Sequence, residues 1–104
     1  MNKYLFIYHG GSKPESDSET SEVMTAWATW LTSIEKNVVD PGNPIGISTT
    51  VNNDGSVVNN GGSNPASGYS LINAIGEQEA IEIAKGCPIL AAGGSVELAL
   101  TVEM

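Results

Sequence analysis

The order of strand and helix patterns constrains this chain more than any other feature of its sequence. Apolar residues recur with the period of a strand or of a helix in six segments. These segments are residues 3–8 (strand), 23–34 (helix), 45–51 (strand), 68–74 (strand), 78–85 (helix) and 96–102 (strand). The resulting βαββαβ order predicts a ferredoxin-like α+β sandwich, in which a four-stranded antiparallel sheet carries both helices on one face.

Shorter signals predict how these elements are connected. Ser16 and Glu19 have the spacing of a capping box, which predicts that the first helix begins near them. The tight-turn sequence NDG at residues 53–55 predicts that residues 56–58 return as a short strand, which adds a hairpin arm to the sheet. Residues 59–68 are rich in Gly, Asn, Ser and Pro, and they predict a loop long enough to cover a pocket or a partner.

The length of the chain and the placement of both helices on one face of the sheet predict a second copy as a partner. A chain of 104 residues predicts one domain, residues 1–104, with a single core. The second helix is expected to stop near Pro88, and residues 90–94 are expected to form a loop of small residues. Two helices on one face leave the other face of the sheet bare. Because oligomerisation is the usual way to cover such a face, we expect a homodimer.

The charge of the chain excludes one class of partner. The chain has twelve acidic residues, four lysines and no arginine, which gives a formal net charge of −8. Nucleic-acid binding requires basic side chains that neutralise phosphates, so we expect no nucleic-acid partner. The sequence also has no apolar run near 18 residues and no signal-peptide pattern at its start. We therefore expect a soluble, cytoplasmic protein with no membrane partner.

His9 and Glu97 are the candidate catalytic residues. His9 is the only histidine, and it ends the first predicted strand beside Gly10 and Gly11, where an imidazole can act as acid or base. Glu97 is expected to project from the face opposite the helices, where it would orient His9 in proton transfer. The alternatives are a histidine bonded to its own loop and an edge-exposed glutamate.

Aromatic residues supply the candidate ligand-binding side chains. Trp27 lies three residues from Trp30 on the first helix, so the two can form the wall of an aromatic site or anchor the core. The residues that we expect to bind a ligand are Tyr8, Trp27, Asn43 and Tyr69. Cys87 is either a nucleophile or a buried structural thiol, and its place at a helix C-terminus favours the thiol.

The sequence gives no indication of a metal or a cofactor. One histidine, one cysteine and scattered acids show no ligand-pair spacing. Neither a dinucleotide-binding fingerprint nor a serine-nucleophile motif occurs. We therefore expect no metal site and no cofactor.

Several motifs, taken in their order and spacing, resemble the YCII-related family, specifically its DGPF-like branch. They are residues 1–8 (MNKYLFIY), 26–31 (AWATWL), 42–46 (GNPIG), 50–51 (TV), 54–55 (DG), 68–72 (GYSLI), 84–88 (AKGCP) and 94–97 (GSVE). The resemblance covers almost the whole chain. It implies a ferredoxin-like protomer that pairs sheet to sheet with a second copy as a dimeric α/β barrel.

The chain departs from this family at its ionisable positions. Some YCII-like proteins carry a His–Asp pair, and the corresponding positions here fall near Trp27 and Cys87. The Lys-Glu pair typical of the DGPF branch is replaced by the uncharged residues 59–64.

Two functions remain open. One is a small-molecule binding protein or cofactor-free enzyme that uses His9 and Glu97. The other is a non-catalytic dimeric module with a structural or regulatory role.

Overall fold

Six strands and three helices lie within the part of the chain that the structure describes. The computed structural model describes residues 1–59, 61, 62 and 64–104. The elements are β1 (Asn2–His9), α1 (Asp17–Ser33), β2 (Val38–Asp40), β3 (Thr50–Val51), β4 (Val57–Val58), β5 (Ala66–Ala74), α2 (Glu77–Ala84), α3 (Pro88–Ala91) and β6 (Ser95–Leu100).

The main sheet has the strand order β2-β5-β1-β6, and every neighbouring pair is antiparallel. β1 and β5, the first and third strands of this sheet in chain order, are therefore central and adjacent, as two crossovers through helices on one face require. This topology confirms the predicted ferredoxin-like α+β fold.

The core lies between the sheet and the helices. Alternate residues of β1, among them Tyr4 and Phe6, are buried, and Ile72 of β5 meets them from the next strand. Phe6 and Ile72 have no exposed surface, so each contributes about 1.5–3 kcal/mol of apolar burial. Trp30 closes the core from α1, where it is 6% exposed and its indole N–H donates to the Ile83 carbonyl.

The start of α1 confirms the capping prediction. The Ser16 hydroxyl accepts a hydrogen bond of 3.1 Å from the Glu19 backbone N–H. The Glu19 carboxylate accepts from the backbone N–H of Glu15 at 2.8 Å, one residue before the N-cap. These bonds satisfy amide groups that have no partner within the helix.

The second strand of the sheet differs from the prediction. The sequence predicts a strand over residues 45–51, but the edge strand of the sheet is β2, which follows α1 after a short turn. β2 pairs with β5. Pairing stops at Pro41, which has no N–H, and Gly42 turns with φ of +73° while its N–H donates to the Asp40 carboxylate. The ladder then resumes briefly where Pro44 bridges to β5.

The hairpin arm is confirmed, but its strands are short and lie outside the main sheet. β3 pairs only with β4, and the Asp54 carboxylate holds the turn between them by accepting from the Ser56 N–H. The predicted loop at residues 90–94 is partly wrong, because α3 occupies Pro88–Ala91 with a proline in its first turn, where proline is well tolerated.

Candidate functional site

The face of the sheet opposite the helices presents alternate side chains of three adjacent strands; we call it the open face. Ile7 of β1 lies in register between Tyr69 of β5 and Glu97 of β6. Two residues earlier on β1, Leu5 lies beside Leu71. The four apolar or aromatic residues of this group are half-buried in the single chain. The open face is thus an apolar floor with a carboxylate on one side.

His9 and Glu97 are brought together on this face. The His9 Nε2 atom lies 2.8 Å from Glu97 Oε1, and the His9 Nδ1 atom lies 3.2 Å from the Pro65 carbonyl oxygen. The His9 side chain is 10% exposed, whereas that of Glu97 is 61% exposed. Because both partners are acceptors, an imidazole that carries a proton on each nitrogen donates both hydrogen bonds.

This geometry raises the pKa of His9 above its ordinary value of 6.5. The hydrogen bond to Glu97 is the largest cause, burial of the ring acts in the opposite direction, and the carbonyl of Pro65 raises the pKa further. Near neutral pH, His9 therefore holds its second proton more often than an exposed histidine does. The pair can store a proton and exchange it at its exposed end, which is Glu97.

Two of the four residues expected to bind a ligand lie on or beside the open face. Tyr69 projects from it, one strand away from Ile7. Asn43 is exposed in the segment that follows β2, and its carbonyl oxygen accepts a hydrogen bond of 3.3 Å from the Tyr69 N–H. Asn43 thus lies at the edge of the sheet next to Tyr69.

The other two, Tyr8 and Trp27, lie on the helix side of the sheet. Their rings meet edge to face with centroids 5.0 Å apart. Tyr8 is 4% exposed, and its hydroxyl donates to the Ser70 Oγ atom at 2.8 Å. Burial raises the pKa of Tyr8. The sheet therefore separates these two residues from His9 and Glu97.

A groove on the helix side gives Trp27 partial access to solvent. It has a volume of about 1060 Å³ and runs between α1 and residues 85–92, with Trp30 and Ile89 among its lining residues. Cys87 also lines it but is 3% exposed, and burial raises the pKa of its thiol to about 11. This agrees with a structural thiol rather than a nucleophile.

Two residues of the site were not expected from the sequence. Pro65 contributes a carbonyl oxygen to His9, and Ile7 forms the floor between Tyr69 and Glu97. Strict alternation along β1 could have indicated Ile7, whereas nothing in the composition of residues 59–68 indicates Pro65. Within this predicted loop, Asn60 and Ser63 lie outside the described residues, and residues 66–68 belong to β5.

Two features are absent from the residues that the structure describes. Among them, no group of three or more His, Cys, Asp or Glu side chains is arranged to hold a metal ion. No helix in the same part of the chain has the length and apolar character needed to cross a membrane.

Comparison with solved structures gives a fold-level neighbour. The chain is similar to 5-chloro-2-hydroxyhydroquinone dehydrochlorinase (TftG) from Burkholderia phenoliruptrix AC1100, solved in complex with 2,5-dihydroxybenzoquinone. The similarity has a TM-score of 0.52 at 15% sequence identity and covers 96% of this chain and 93% of that chain. No protein-family model matches the chain, and no curated protein sequence matches it. The likeness is therefore one of fold.

Proposed function

We propose that this protein is a YCII-related homodimer that binds a small organic molecule on its open face. The His9–Glu97 pair exchanges a proton with that molecule, and no cofactor takes part. The observation that carries the proposal is the 2.8 Å contact between His9 Nε2 and Glu97 Oε1, with the imidazole shielded and the carboxylate exposed. A buried histidine bonded to an accessible carboxylate is a proton-transfer arrangement as well as a structural one.

The surroundings of the pair support an aromatic or otherwise flat ligand. Leu5, Ile7 and Leu71 offer an apolar floor, and the Tyr69 ring stands on the same face. A ligand that rests on this floor would bring an ionisable oxygen to Glu97 at its edge. The solved neighbour is a complex with 2,5-dihydroxybenzoquinone, a flat hydroxylated ring, and this compound is the natural first probe.

Pairing of two copies would strengthen the same proposal. On one chain the open face is exposed to water, which weakens electrostatic effects and competes for hydrogen bonds. A second copy placed sheet to sheet, as the resemblance to YCII-related proteins implies, would enclose the pair and the floor.

The experiment is an NMR titration of the His9 imidazole. Its ring resonances, and the amide resonances of Tyr69, are followed while 2,5-dihydroxybenzoquinone and related hydroxylated aromatic compounds are added. We expect saturable shifts at both residues, loss of binding and of any turnover in His9→Ala, and a dimer that stays intact in this variant. Met24→Ala is the control, because this side chain is 67% exposed on α1, on the other side of the sheet, and the variant should bind as the wild type does.

Two outcomes would contradict the proposal. The first is turnover that survives in His9→Ala, which removes the catalytic role of the pair. The second is that no compound shifts the resonances of His9 or Tyr69, which favours the alternative of a non-catalytic interaction module.

A further inference from the structure

We infer that the hairpin arm, residues 45–58, packs on the open face of a second copy of this chain and covers the His9–Glu97 pair there. This inference rests on the proposed function and names the part of the partner that completes the site. Each site is then built from two chains, with the proton-transfer pair from one and the apolar cover from the other.

The arm exposes its apolar side chains. Five aliphatic residues of the arm are each more than a third exposed: Ile45 (42%), Ile47 (83%), Val51 (69%), Val57 (56%) and Val58 (39%). In the part of the chain that the structure describes, the buried core and the hydrophobic residues packed against it include none of them. A two-stranded hairpin is only marginally stable alone in water, so an arm of this kind requires a surface to rest on.

The charge distribution favours a second copy as that surface. The chain carries a net charge of −8, so two copies repel each other over most of their surfaces. Asp54, at the turn, is the only charged residue in the arm sequence. The central part of the open face is also uncharged, and the carboxylate at its side is hydrogen-bonded to His9. The arm and the open face are therefore surfaces that two copies can bring together with little charge repulsion.

The position of the arm relative to the site supports exchange between copies. Ile45, at the base of the arm, donates its N–H to the Ser67 carbonyl at 2.9 Å, and the adjacent Ala66 is the residue that pairs with His9. The arm thus leaves the sheet at the end where the proton-transfer pair lies. In a two-fold dimer the same contact occurs twice, so both arms and both open faces are covered together.

The size of the open face also favours a contribution from the arm. With strands about 4.8 Å apart and a rise of about 3.4 Å per residue, the four strands have a footprint of roughly 400 Å². A stable interface buries about 800 Å² on each partner. The exposed aliphatic side chains of the arm supply apolar area beyond that of the sheet.

The test is a paramagnetic measurement between two copies. A spin label is attached to Ile47→Cys, at a site that is 83% exposed, and the labelled chain is mixed with ¹⁵N-labelled wild-type chain. Cys87 can stay in place, because it is buried and its pKa of about 11 makes it unreactive towards the label. We expect broadening of the Ile7 and Glu97 amide resonances of the ¹⁵N-labelled chain. The control, a label at Met24→Cys on α1, should leave these two resonances sharp.

A second measurement separates this inference from the proposed function. Ile47→Asp should weaken the dimer by about tenfold or more in sedimentation equilibrium, since it places a charge in an apolar contact, and Met24→Asp should not. A dimer that shows no broadening at Ile7 and Glu97 would overturn the arm exchange and leave ligand binding at His9 intact. A wild-type chain that sediments as a monomer would overturn both the arm exchange and the homodimer, whereas the imidazole titration still tests the pair by itself.

Discussion

A chain of hydrogen bonds links three segments on the helix side of the sheet. The Tyr8 hydroxyl donates to Ser70 Oγ at 2.8 Å, and Ser70 Oγ donates to the Pro41 carbonyl at 2.7 Å. The chain connects β1 and β5 to the residue at which β2 ends. A double-mutant cycle can be built from Tyr8→Phe, Ser70→Ala and the double variant. The free energy of unfolding that each variant loses depends on which atoms lose their hydrogen-bond partners.

The expected magnitudes differ between the two single variants. Tyr8→Phe removes one hydrogen bond and leaves Ser70 with its bond to Pro41, so we expect a loss of about 1 kcal/mol. Ser70→Ala leaves the Tyr8 hydroxyl without an acceptor at a site that is 4% exposed, so we expect about 2 kcal/mol. Pro41 is exposed, and water can replace the bond to its carbonyl. In the Tyr8→Phe background, Ser70→Ala should therefore cost only about 1 kcal/mol.

Urea unfolding followed by tryptophan fluorescence measures these differences. The Tyr8 ring lies within 6.4 Å of both tryptophan rings, so the signal reports on this part of the core. In thermal unfolding, Ser70→Ala should lower Tm by roughly 10 °C, given about 4–8 °C per kcal/mol for a domain of this size. A Ser70→Ala variant that is as stable as Tyr8→Phe, or additive losses in the double variant, would refute the reasoning.

Three further predictions concern the turn, the thiol and the pH dependence. Gly42→Ala should destabilise the protein strongly in urea unfolding, because φ is +73° and a Cβ atom would overlap a carbonyl of β5. The control, Gly46→Ala, should be nearly neutral, since the space around its Cβ position is open. Cys87 should react with a thiol reagent at pH 8 only as fast as the protein opens, and a rapid reaction of the native protein would contradict its burial. Glu97→Gln should lower the pKa of His9 in an NMR titration. Since the pKa of His9 is raised in the folded protein, the stability that the pair adds is fully present below pH 6.5 and is lost as the pH rises through the folded pKa. Urea unfolding below pH 6.5 should therefore show a lower free energy of unfolding for Glu97→Gln than for the wild type, and unfolding above the folded pKa of His9 should show no difference.

The sequence was sufficient for those parts of the fold that depend on local patterns. Helical spacing predicted α1, and the Ser16 cap is a contact between residues three apart. Alternation along β6 placed Glu97 on the face opposite the helices, since neighbouring residues of a strand face opposite sides. The ferredoxin-like order then followed from the number and order of the elements.

The candidate site depended on pairing between distant strands, which one sequence does not specify. The bond between His9 and Glu97 exists because β1 and β6 pair so that Ile7 is opposite Glu97, which makes the two polar residues diagonal neighbours. β1 carries apolar residues on both faces, so its sequence does not indicate which side of the sheet Tyr8 and His9 each face. Short edge strands such as β2 carry too few residues for an alternation pattern, whereas residues 45–51 carry a longer one that predicts a strand.

A bulge in the sheet positions the hydrogen-bond partners of His9. Between β1 and β5 the register shifts after Tyr8, so that His9 lies opposite Ala66 instead of Ser67. The shift moves the end of β5 towards His9 and brings the Pro65 carbonyl to its Nδ1 atom. With an acceptor at each nitrogen, the protonated ring donates two hydrogen bonds, and the burial of His9 leaves Glu97 as the group that a ligand can reach. In the function proposed above, a proton held on His9 passes to the ligand through the exposed carboxylate of Glu97, so the register of the sheet positions both members of the pair.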